Sequence, residues 1–158
     1  MRAASSRATR AGGSRCGCET EHVDTAVLVT ASVFAGLAAL IHAYIWVLES
    51  VLWTHESTRR TFGVKTAADA ETLRPMAYNQ GFYNLFLALG VVVGLVLLWS
   101  GLELTGLVLA LFACVCMVLA ALVLITSNRR MLRAALVQGV APLVAVVCFA
   151  VALASAGA

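Results

Sequence analysis

Residues 79–126 read NQGFYNLFLALGVVVGLVLLWSGLELTGLVLALFACVCMVLAALVLIT, and simple lengths within this stretch decide the fold. The purely apolar part of its first half, Leu85 to Trp99, has 15 residues. As α-helix that is about 22 Å, short of the roughly 30 Å of bilayer hydrocarbon. The run cannot grow forward, because Ser100 and Gly101 already turn the chain into the next apolar segment. The span must therefore extend backward, to about residue 77, through Asn84, Tyr83, Gln80 and Asn79. Length alone draws those polar groups into the membrane. The second half, residues 102–126, is long enough to cross unaided, and Glu103 suits the positive end of its helix dipole.

Two further runs flank this pair. Residues 26–48 and 131–154 are each apolar over a crossing length. The expected fold is therefore all-α and membrane-embedded, a four-helix transmembrane bundle with spans near 26–48, 77–99, 102–126 and 131–154. The short connections after the second and third spans make those neighbours antiparallel. Ala31, Ala35, Ala39 and Ala43 form a small-residue stripe on the first span, and Gly90 and Gly94 a GxxxG on the second. Such stripes let backbones approach closely where lipid supplies no hydrophobic drive. Residues 49–74 are polar and read as a loop with a short helix near Ala67 to Leu73. Residues 1–22 hold Arg2, Arg7, Arg10 and Arg15 among Ala, Ser, Gly and Thr, and no apolar period. They read as a disordered tail, or as an extension upstream of a natural start near Val23. Residues 23–158 make one membrane domain.

Composition agrees. Of 158 residues, 61% are hydrophobic and 12% charged, against about 25% charged in soluble domains. No basic stripe interleaves with aromatics, so no nucleic-acid partner is expected. Cys16 and Cys18 lie in the tail without a second ligand pair, and Cys114, Cys116 and Cys148 lie in apolar runs as small hydrophobes. Neither a metal nor a cofactor is expected. His55-Glu56 is followed by no second histidine at the zinc-protease spacing, and there is no phosphate loop or nucleophile elbow.

Four spans put both termini on one side. The opposite side receives Arg59, Arg60, Lys65, Arg74, Arg129, Arg130 and Arg133, and the terminal side only the four arginines of the tail. Basic residues near span ends stay cytoplasmic. The expected location is the cell (inner or plasma) membrane, multi-pass, with the basic loops inside and both termini outside.

Polar residues inside the spans are the candidates for chemistry. His42, Trp46, Glu49 and Trp53 stand at intervals of four, three and four, one face of a helix. Asn79 and Tyr83 stack one turn apart, as do Gln80 and Asn84, and Gln138 lies about 10 Å into the fourth span. All approach the loop side. Polar groups at membrane depth are costly and usually face a bundle interior or a wet cavity. One reading is a shared ligand or reaction site in the cytoplasmic half. The other is interhelical hydrogen-bond glue, with Glu49 among the headgroups and Trp46 and Trp53 as interfacial belt residues.

The runs His42-Ala-Tyr-Ile-Trp-Val-Leu-Glu49, Phe62-Gly63, Asn79-Gln-Gly-Phe-Tyr-Asn84 and Gln138-Gly-Val-Ala-Pro142 resemble the domain-of-unknown-function 1304 family, small bacterial four-span membrane proteins. The resemblance covers about residues 25–155. It implies the fold and the membrane location and supplies no activity. Family members begin near the first span, so the arginine-rich tail departs from the pattern. Three functions stay open. The first is a carrier or binding protein for a small amphipathic or lipid-like ligand against Asn79–Asn84, with membrane lipid as its surroundings. The second is a membrane enzyme with His42 or Glu49 as general base and Tyr83 as proton donor. The third is a small proton-coupled transporter acting as a homo-oligomer, with Glu49 titrating.

Overall fold

A computed structural model describes residues 16–156, with side chains from residue 25 onward. Helix α1 runs Cys16–Trp46 and passes into a π-helical turn, Val47–Val51. Then come α2, Glu56–Thr61; α3, Ala67–Trp99; α4, Glu103–Ser127; a 3-10 turn, Arg129–Met131; and α5, Leu132–Ala156. The fold is an all-α four-helix bundle whose α1, α3, α4 and α5 are each long and apolar enough to cross a membrane. The expected tail differs at its inner end, because helix already begins at Cys16, and residues 1–15 lie outside the described set.

The α3–α4 connection closes as the sequence requires. Gly101 takes a φ of 93°, and the Leu102 N–H donates to the Leu97 carbonyl at 3.1 Å. This six-residue closure ends α3 and starts α4 at once. At its other end α3 is longer than expected. The short helix near Ala67 is its first two turns, capped where Thr66 Oγ1 accepts from the Asp69 N–H at 3.0 Å. The helix continues through Pro75 into the span. Pro75 removes one helical bond, to the carbonyl of Glu71, and Glu71 is exposed, so water can replace it.

The helices form a ring in which α1 and α4 each pack on α3 and α5, while α1 and α4 barely meet across the middle. Outward side chains such as Leu40, Leu104, Phe112 and Val147 are exposed and apolar, as suits a lipid surround. The core sits at the end holding the chain termini and the α3–α4 turn. It is built from Ala31, Ala35 and Ala38 on α1, Ala88 and Val91 on α3, Ala110, Cys114 and Met117 on α4, and Ala145 and Phe149 on α5. The alanine stripe faces inward, and a Cβ on Gly94 would stand 2.7 Å from the Ala110 nitrogen, so α3 and α4 touch backbone to backbone there. At the other end the four helices part.

Candidate functional site

Where the helices part they enclose a cavity of about 920 Å³. Its wall comes from the last turns of α1 and α4, the loop-side part of α3 and the first turns of α5. Glu49, Gln80, Tyr83, Asn84 and Gln138 all line it. Asn79 is exposed and His42 is buried, and neither is on the wall. His42 is only 1% exposed and donates from Nδ1 to the Ala38 carbonyl at 2.9 Å, inside its own helix. The helical face that joins His42 to Glu49 thus runs from sealed core to open cavity.

Packing contacts set the levels. Gly94 meets Ala110 between α3 and α4, and Gly139 meets Ala121 between α4 and α5. Counting along antiparallel helices from these contacts brings Asn84 and Gln138 to one height. Glu49 joins them: Asn84 Nδ2 donates to its Oε2 at 3.0 Å and to the Gln80 carbonyl at 3.2 Å. Glu49 is 3% exposed, so a carboxyl group is held almost out of water and partnered by an amide. Gln138 adds a second polar group at this height. Pro142, one turn on, has no N–H, so the Gln138 carbonyl lacks its helical donor. The result is a polar layer across the cavity, with Ile41, Ile45 and Leu87 among the apolar side chains of its wall.

The backbone around Glu49 is unusual. The Leu52 N–H donates to the Val47 carbonyl at 2.9 Å, a bond five residues long that widens the helix at Glu49. π-turns of this kind occur often at functional sites. Gly81 makes room for the widened turn. A Cβ there would collide with Ser50 Oγ and come within 3.1 Å of Glu49 Cβ. Ser50 Oγ also donates to the Tyr78 carbonyl at 3.3 Å. The run Asn79-Gln-Gly-Phe-Tyr-Asn84 therefore has a division of labour: Gly81 admits α1, Asn84 bonds Glu49, and Gln80 and Tyr83 face the cavity.

Several wall residues were not among the candidates for chemistry read from the sequence. Phe62 is one: Gly63, at a φ of 74°, ends α2 and leaves Phe62 packed on Trp53, ring centroids 5.5 Å apart. Trp53 is buried and donates from Nε1 to the Ala70 carbonyl at 2.8 Å, tying the loop to α3. It is an anchor of the fold, not a residue of an interfacial belt. Thr61, Ser127, Arg130 and Arg133 form the rim. The three-residue spacing of Arg130 and Arg133 was the available signal. No group of three His, Cys, Asp or Glu among the described residues could hold a metal ion.

Neither the curated proteins nor the solved structures contain a match to this chain. A family model described as "Protein of unknown function (DUF1304)" matches residues 36–150. That span contains α3 and α4 whole, the last part of α1, most of α5, the π-turn, the Asn79–Asn84 run and Gln138, and the chain belongs to the DUF1304 family.

Proposed function

We propose that this protein is an integral, multi-pass protein of the cell membrane that holds a small amphipathic or lipid-like ligand in the cavity at its loop end. The carrying observation is the cavity itself. About 920 Å³ falls within the range of small-molecule sites, and a few polar groups converge on an otherwise apolar wall. Interhelical glue alone leaves the volume unexplained, since glue would close the helices together as the alanines do at the other end. The basic loops at this end make it the cytoplasmic half, with both termini outside.

The test is native mass spectrometry of the full chain purified in detergent, looking for a retained small molecule. Asn84→Leu and Glu49→Gln should lose it while unfolding at temperatures that correspond to within about 1–2 kcal/mol of the parent, the scale of a lost interhelical bond. Retention unchanged in both variants would remove these residues from the site. Loss of folding together with ligand in both would favour a purely structural role. A second reading, turnover of the ligand, is favoured by Glu49 and Tyr83 sharing the wall. It would use Glu49 as base without His42, and ligand lost intact from the parent protein counts against it.

A further inference from the structure

The rim of the cavity carries charge that no carboxylate among the described residues neutralises. Arg130 and Arg133 both line it, three residues apart where the 3-10 turn enters α5. Among the described residues the ion pairs are Arg60 with Glu56 and Arg74 with Glu71, and neither rim arginine has a carboxylate partner. The carboxylate on the wall, Glu49, is occupied with Asn84 and lies lower. Arg133 stands five residues toward the rim from Gln138, which is about 8 Å of helix, and Arg130 stands farther out. Between rim and polar layer the wall carries Leu124, Ala134 and Val137, with Gln80 and Tyr83 of α3 beside them. The site thus has outside it two guanidinium groups with no carboxylate partner among the described residues, and within it a largely apolar wall crossed by the polar layer.

We propose that the ligand is an anionic amphiphile with a single chain. Its carboxylate or phosphate head sits on Arg130 and Arg133, and its chain runs inward past Leu48, Leu124 and Val137. This rests on the ligand reading above and names the class. Guanidinium is the side chain whose planar fork matches both of those heads. A cavity near the upper end of the small-ligand range suits one chain and a compact head. The ordinary alternative is that these arginines are solvated interfacial charges. The same turn supplies the control. Arg129 has the same charge but lines a separate shallow recess with Ile125, Thr126 and Leu132.

The experiment titrates hexadecanoate, hexadecyl phosphate and hexadecanol into the full chain in neutral-lipid nanodiscs, with bound ligand counted by native mass spectrometry. The acids should bind at least about tenfold tighter than the alcohol, the scale of one charge-assisted hydrogen bond. Arg130→Gln and Arg133→Gln should each weaken the acids by about tenfold and leave the alcohol unchanged, which also reports an intact cavity. Arg129→Gln should change nothing. A preference for hexadecanoate points to a free acid and one for hexadecyl phosphate to a phosphate-headed lipid; either upholds the proposal. Equal loss from Arg129→Gln, or loss of the alcohol along with the acids in the rim variants, overturns it. Acids and alcohol binding alike, with both lost in Asn84→Leu, overturns it while keeping the ligand reading. No binding of any probe and no copurifying molecule removes both.

Discussion

Trp46 ends α1 and Trp53 follows the π-turn, and the two indoles differ in whether they find an acceptor. Trp53 Nε1 reaches the Ala70 carbonyl, whereas Trp46 Nε1 is buried with no partner among the described residues and its ring meets Phe82 edge-on at 6.1 Å. Replacing a met donor costs stability, and replacing an unmet one removes a penalty. Trp53→Phe should therefore lower stability by about 1–2 kcal/mol, and Trp46→Phe should stay within about 1 kcal/mol of the parent or exceed it. Thermal unfolding in detergent reads both, and equal losses would contradict the assignment. The spacing of these residues was legible in the sequence; their fates were not. Which indole finds an acceptor depends on Ala70, whose position follows from where α3 begins. For the same reason His42 reads as a site residue by spacing, yet the closing of the helices at its level buries it.

The α3 helix shows how far length and composition reach. The 15-residue apolar run demanded that the helix extend back through Asn84, Tyr83 and Gln80, and α3 contains all three. Its continuation through Pro75 was not legible, because a proline after a polar loop reads as a boundary. The π-turn was hidden for a different reason: Val47-Leu-Glu-Ser-Val51 has ordinary helix composition, and the room for the wider turn comes from Gly81 of α3, far away in sequence. Close approach also sorts the glycines. Gly94→Ala would drive a methyl group into the backbone at Ala110 and should destabilise by about 1–3 kcal/mol, the cost of overpacking. Gly36→Ala meets nothing within 4 Å and should be neutral or gain up to about 1 kcal/mol from helix propensity. Unfolding midpoints in detergent compare the two, and a Gly36 loss equal to that of Gly94 would refute the packing account.

At the size of the whole molecule the proposed orientation is open to direct labelling. Cysteines introduced as Ser57→Cys or Ser127→Cys, both exposed positions, are expected to escape membrane-impermeant reagents in intact cells and to react after permeabilisation. Cys16 and Cys18 are replaced by serine in that background. Labelling of either position from outside reverses the orientation. The charge asymmetry behind this expectation was plain in the sequence, and so were the four spans. The division of the bundle into a packed and a parted half was not, because it follows from which small residues meet: Gly94 with Ala110, and Ala31 and Ala35 with the ring's centre.

The packed half has a bearing on permeation. A solute or proton that reached the floor of the cavity would next meet Val91, Met117 and Phe149, each fully buried, among alanines that lie in direct contact. Alanine has no rotamers to swing aside, so only Val91, Met117 and Phe149 could rearrange there by side-chain motion. Separation of α3 from α4 would have to break the close backbone approach of Gly94 to Ala110. Under the proposed ligand reading the bundle is a stoppered vessel with one mouth, and ligand is expected both to enter and to leave by the loop side.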